Sequence, residues 1–180
     1  MNKIIITALL FVLSVAHAWC ADLPEVTVQL TASRIVKSAQ GKESVVSGES
    51  AKPGEIIEYR AIYKNSGKAT ARDVVATLPI PVEMEFVPAT ASPAAASSTT
   101  DGTTYSRIPL KRKVKLAGGA VVQRDVPLDE YRAIRWELKD LAPAASVTVS
   151  ARMKIKATQH GPVIIKLDTV GKQKSKGEEK

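Results

Sequence analysis

Between Val147 and Ala157 every second residue is apolar: Val147, Val149, Ala151, Met153, Ile155 and Ala157 alternate with Thr148, Ser150, Arg152, Lys154 and Lys156. A strand turns successive side chains to opposite faces, so this pattern predicts one half-buried β-strand and cannot serve a helix. The same alternation recurs at Val26, Val28, Leu30 and Ala32, and again at Ile57, Tyr59, Ala61 and Tyr63. Ile62 breaks the latter run, marking either a strand covered on both faces or a single exposed apolar residue. Turn signals punctuate the strands: Lys52-Pro53-Gly54, Asn65-Ser66-Gly67, Pro79 with Pro81, Ala117-Gly118-Gly119-Ala120 and Gly161-Pro162. Gly118-Gly119 lies between Val114-Lys115-Leu116 and Val121-Val122, which predicts a tight hairpin with positive φ at its turn. After Pro162, the apolar stretch Val163 to Val170 is expected to close the fold as a last strand. Many short strands, no 3.6-residue period after the first residues and proline-rich connections favour an all-β antiparallel sandwich over residues 26–170. Ala89 to Thr104, almost all Ala, Ser, Thr, Pro and Gly, is expected to be a mobile loop, and the charged residues 171–180 a disordered tail.

Near the start stand Lys3, a nearly unbroken apolar run from Ile4 to Val15, and the small residues of Ala16-His17-Ala18. That order has the form of a secretory signal peptide over residues 1–18, followed by a short N-terminal segment 19–25. The apolar run is shorter than the roughly 20 residues a membrane-spanning helix needs, and no second such run follows, so no transmembrane helix is expected in the mature chain. Cleavage leaves roughly 160 residues, enough for one domain with a real core. The only cysteine, Cys20, lies beside the cleavage point, so no intramolecular disulfide can form and stability must come from packing. Lipidation of Cys20 is the sharper reading, but the bulky Trp19 stands where lipoprotein signals want a small residue; the plain one is a thiol in a frayed N-terminal segment or one that crosslinks chains. An exported fate in the periplasm, at the cell surface or outside the cell is the expectation.

Catalysis needs a positioned base, nucleophile or metal. His160 is the one histidine beyond the leader, set in the turn Gln159-His160-Gly161-Pro162, and no cysteine pair accompanies it, so no zinc constellation is expected. No Gly-x-Ser-x-Gly elbow or phosphate-cradling glycine loop is present. We therefore expect no catalytic, cofactor-binding or metal-binding residues and no enzymatic activity. The formal charge of +8 has one local concentration: Arg107, Lys111, Arg112, Lys113, Lys115 and Arg124 form a run without an acid. On a hairpin, Lys111, Lys113 and Lys115 share a face, making a candidate patch for an anionic polysaccharide, a lipid head group or an acidic envelope protein. The plain alternative is an exposed strand kept soluble by lysines. Nucleic acid is not expected, since export separates the chain from it and the patch has no aromatic residue for base stacking. In Ile134-Arg135-Trp136-Glu137-Leu138 the three apolar residues share a face, so Trp136 is expected to plug the space between two sheets, with Tyr59 and Tyr63 as further core residues.

Several phrases occur together in one order. Pro53-Gly54-Glu55 leads into a strand bearing Tyr59 and Tyr63 and ends at Asn65-Ser66-Gly67; Ala71 to Val75 follows, then Pro81, Phe86 and Val87. Trp136-Glu137-Leu138, Leu141-Ala142-Pro143 and Ser146-Val147-Thr148-Val149 close the series. Taken together they resemble domain of unknown function eleven, a repeat of bacterial and archaeal surface proteins, over Val26 to Ala157. The resemblance implies an immunoglobulin-like sandwich in an exported protein, with no catalytic residues to carry over. Leu78 stands where that family has an acidic residue, and Ala145 where it has a glycine after Leu-x-Pro. One copy, where surface stalks stack many, points to a small accessory protein. The expected function is thus a non-enzymatic scaffold or interaction domain of the cell envelope that binds a protein partner. A chaperone or donor-strand partner for surface fibres is the alternative.

Overall fold

The computed structural model describes residues 23–48, 50–157 and 163–164. It is an all-β antiparallel sandwich of the immunoglobulin-like kind. One sheet has five strands in the spatial order β2 (Glu43–Ser47), β1 (Val26–Lys37), β4 (Ile56–Asn65), β12 (Ser146–Ile155) and β6 (Met84–Phe86). Facing it is a four-stranded sheet in the order β5 (Ala71–Pro79), β11 (Ala133–Leu141), β7 (Ser97–Thr99) and β8 (Ser106–Arg107). A separate hairpin pairs β9 (Lys111–Lys115) with β10 (Val121–Asp125), and β3 (Ser50–Ala51) pairs with β13 (Val163–Ile164). The rest of the closing strand expected from Val163 to Val170, the leader with Cys20, His160 and the charged tail lie outside the described residues.

Alternation alone assigns the inner faces. Ile57, Tyr59, Ala61 and Tyr63 of β4 point inward beside Val149, Ala151, Met153 and Ile155 of β12, and all but Tyr59 and Tyr63 among these are essentially inaccessible. Large and small residues face each other across the ladders: Ala32, Tyr59 and Ala151 form one row, and Leu30, Ala61 and Val149 the next. This keeps each layer level, so the opposite sheet can approach without voids. Ile62 faces outward between Gln29 and Thr148 and is half-buried by them, so this strand is not covered by a second layer.

From the opposite sheet come Ala71, Val74, Ala76, Leu78, Ile134, Trp136 and Leu141. Trp136 is only 2% exposed, faces Ala76 across the ladder, and its indole Nε1 donates a 2.7 Å bond to the Pro93 carbonyl. Its polar edge is therefore satisfied while the ring fills the interior. Phe86 and Tyr131 stack at 6.3 Å in the same core. Register slips after Glu137 and again after Lys139, which adopts φ +58°; Leu138 is left at the core margin and Leu141 enters the interior. A bulge changes the parity of everything beyond it, which is why strict alternation from Ile134 misplaces the end of this strand.

Two expectations need correction. Ala89–Thr104 is not a loose loop. Ser97–Thr99 forms β7 between β11 and β8, Ser98 and Thr99 are fully buried, and Ser92 exchanges two 2.8 Å backbone bonds with Ser150. Small hydroxyl residues lack apolar bulk, but they can tuck close to a neighbouring strand and satisfy themselves there: Ser98 Oγ donates to the Ala133 carbonyl at 2.8 Å.

The second concerns Asn65-Ser66-Gly67, which does not work through left-handed backbone. Asn65 is fully buried at the end of β4 and acts as a hub. Its Nδ2 donates to the carbonyls of Leu141 and Ala69, both at 2.8 Å, and its Oδ1 accepts from the N–H groups of Gly67 (3.0 Å) and Glu25 (3.3 Å). Its backbone bonds Ala144 and Ala145 in the β11–β12 turn. Gly67 is needed for room, since a β-carbon there would strike the backbone of Leu23 and Glu25. Left-handed conformation is instead found at Gly54, as the Pro-Gly turn required, and at Ala144 (φ +63°), one residue before the position where the resembling family has glycine.

The free flank of β5 is blunted. Thr77 lies opposite Arg135 yet sends its N–H to the Tyr63 hydroxyl at 3.2 Å, so positions of its parity, Val75, Thr77 and Pro79, point their backbone donors away from the sheet. Of these, Thr77 is capped and Pro79 has no N–H at all.

Candidate interaction surfaces

The β9–β10 hairpin is the element that departs most from the sandwich. Its base is anchored by Leu110 and Val126, both buried and joined by a 2.9 Å backbone bond, while the Leu110 N–H donates to the Tyr131 hydroxyl at 2.7 Å. Its tip closes through Leu116 and Ala120, with Gly119 at φ +83°, as the glycine pair predicted. Register places Lys111 opposite Asp125, Lys113 opposite Gln123, and Lys115 opposite Val121 on one face. The other face carries Arg112 opposite Arg124 and Val114 opposite Val122.

The six cations of the sequence run are therefore not one patch. Lys111, Lys113 and Lys115 do share a face, but Arg112 and Arg124 occupy the reverse. Arg107 belongs to β8 in the four-stranded sheet, because Pro109 cannot continue the ladder and the chain restarts beyond it. Two of the six are neutralised: Lys111 by Asp125 at 2.8 Å, and Arg112 by Glu130 through two bonds of 2.8 and 3.0 Å. Lys113, Lys115 and Arg124 make no ion pair among the described residues. Val121, 61% exposed, stands beside Lys115.

Tyr59 and Tyr63, expected in the core, are there. Burial pushes both phenols above their ordinary pKa. The Tyr59 hydroxyl contacts the Met84 sulfur at 3.6 Å. These are packing groups, as Trp136 is.

The outer faces of the two sheets differ in their electrostatics. On the five-stranded sheet, Arg152 bridges Glu43 (2.9 Å) and Glu58 (3.2 Å), and Glu58 also takes Arg60 at 2.9 Å. Burial raises the Glu58 pKa, but the hydrogen bonds from Arg60 and Arg152 outweigh it and hold the carboxyl below its ordinary value. The arginines at the centre of that face are thus paired with carboxylates. Across the four-stranded sheet runs a row in register, Thr77, Arg135, Ser97 and Arg107, and here the cations have no carboxylate partner. The Arg135 guanidinium lies over the Tyr105 ring, 3.5 Å from its centroid, and its Nε is buried without a hydrogen-bond acceptor. Arg135 is not among the six cations of the sequence run. Its signal was present: alternation turns it away from Trp136, beside a short polar strand whose existence was not foreseen.

Among the described residues no cluster of three or more His, Cys, Asp and Glu side chains is placed to hold a metal, and no helix is long and apolar enough to cross a membrane. In comparisons with known proteins, no protein-family model, no curated protein and no solved structure matches the chain. What the geometry defines is a class: a sandwich whose interior is filled by side chains and whose distinctive chemistry lies on its surface.

Proposed function

We propose that this chain is a non-catalytic, exported interaction domain of the cell envelope, an accessory to a surface structure, and that the β9–β10 hairpin is the element it offers to a protein partner. The observation that carries this reading is the hairpin's combination of features. It pairs with neither sheet of the sandwich, and it presents Val121 to solvent next to two lysines without counter-ions. An exposed aliphatic group flanked by cations suits an acidic protein surface with an apolar centre. Export is supported by the leader-like residues 1–18, and the envelope setting by the resemblance to domain of unknown function eleven. The anionic-polymer reading uses the same lysines but has no role for Val121.

The test places a photo-crosslinking residue at Val121 and, as a control, at Val82, which is 73% exposed but lies outside the hairpin. In the native host, position 121 should capture one discrete protein and position 82 should not. Equal capture at both sites, or none at either, refutes the assignment. A second reading, a donor-strand or chaperone role, is favoured by β2, whose five residues are all exposed, Val45 at 65%. Crosslinking from Val45 in place of Val121 would select it.

A further inference from the structure

We propose that the groove on the outer face of the four-stranded sheet, around Arg135, is a binding site for the carboxylate of an acidic sugar, of the uronic-acid type. This inference rests on the reading of the chain as a binding domain but uses none of the hairpin residues. The groove, about 270 Å³, is lined by Ala95, Ala96, Ser97, Arg107, Arg135, Glu137 and Lys139.

Arg135 is the anchor. Three arginines of the described residues are half-buried, Arg34, Arg135 and Arg152. Arg34 is paired with Glu55 at 3.0 Å and Arg152 with Glu43 and Glu58; the guanidinium of Arg135 has neither a salt bridge nor a hydrogen bond. A partly desolvated guanidinium without an anion is unfavourable, and the Tyr105 face offsets only part of that cost. What the stack does provide is orientation. With Nε buried, the two terminal nitrogens are left facing solvent as a fixed fork, which matches the two oxygens of a carboxylate. Arg107 stands two strand spacings away, roughly 10 Å along the same row, with Ser97 between them.

The remaining lining selects the kind of anion. Glu137 opens onto the groove among three cations and pairs with none of them. It opposes a densely charged polyanion, yet it can accept hydrogen bonds from hydroxyls, so a ligand that alternates carboxylate and hydroxyl groups satisfies both signs. A peptide finds less. The backbone of Ser97 is already laddered to β11 on one side and β8 on the other, and the floor of Ala95, Ala96 and Ser97 offers no apolar socket for an anchoring side chain.

The experiment titrates the purified full chain with tetragalacturonate, with its methyl ester and with poly-glutamate, by calorimetry and by amide chemical-shift mapping. The acid tetramer should bind and move the amides of Ser97, Arg107 and Arg135, and the neutral ester should not. Arg135→Lys should weaken binding on the order of ten- to hundred-fold, the loss of a charge-assisted bidentate contact. Arg107→Gln, at an exposed position that does not threaten folding, should weaken it several-fold. Lys113→Ser with Lys115→Ser should leave it unchanged. Equal binding of poly-glutamate, equal loss in the hairpin variant, or no binding of the tetramer overturns the assignment. Because the crosslinking test reads Val121 and this one reads Arg135, either can fail while the other stands.

Discussion

Replacing Asn65 by alanine removes four hydrogen bonds at once and leaves their partners without substitutes. The carbonyl of Leu141 loses a buried partner at 2.8 Å, while the Gly67, Ala69 and Glu25 contacts are all part-buried. A buried polar group left unpaired costs about 1–3 kcal/mol, and a partly exposed bond about 0.5–1.5 kcal/mol. The sum, tempered by entry of water, comes to roughly 3–5 kcal/mol, a large share of the 5–15 kcal/mol typical of a domain. At about 3–5 °C per kcal/mol for a domain of this size, the melting temperature should fall by roughly 10–20 °C. Urea denaturation of the purified chain measures this directly, with an unchanged m-value showing that the unfolded state is not the cause. Asn65→Asp separates donors from acceptors. It keeps Oδ1 but turns a second oxygen toward two carbonyl oxygens, which favours the protonated carboxyl and raises its pKa in the folded state. By linkage, that variant should be least damaged below about pH 4 and lose ground as pH rises. A loss under about 1 kcal/mol for Asn65→Ala, or a pH-independent deficit for Asn65→Asp, would refute the hub.

Ala144 holds φ +63°, where an L-residue is strained by about 1 kcal/mol, so Ala144→Gly should raise stability by several tenths of a kcal/mol despite glycine's looser unfolded state; a fall in the urea midpoint would contradict this. The Asp101 carboxyl is held well below the ordinary carboxylate range by the N–H groups of Thr104 and Thr103 and by the Thr99 hydroxyl. A depressed folded pKa contributes stability above the unfolded value, near pH 4, and loses it as pH falls through the folded value. The amide resonances of Thr103 and Thr104 should therefore stay fixed from about pH 7 to pH 4 and move only in stronger acid, and an ordinary titration near pH 4 would show the carboxylate is not anchored.

Alternation carried most of the fold. Val147 to Ile155 and Ile57 to Tyr63 show their inner faces in the sequence because each strand is covered on one side only. The bulge in β11 is not legible in the sequence because Glu137-Leu138-Lys139 carries no glycine or proline to announce it. Ser97–Thr99 was hidden for a related reason: its burial depends on hydroxyl bonds to strands distant in sequence, and composition alone reads such residues as solvated. For the surface, residue parity already separates Arg112 from the three lysines, whereas the register that sets Arg107 beside Arg135 is a long-range fact. Asn65 lay in a phrase recognised as a turn, but the bonds that make it a hub join residues up to 76 positions away.

The Tyr63 hydroxyl on the Thr77 amide, followed by Pro79, gives the molecule one border that refuses guests. Val75 alone of the three outward positions keeps a donor, so pairing a neighbouring copy along β5 gains little and ribbon-like growth is disfavoured there. Strand addition is correspondingly easier at the other margins, such as the exposed β2.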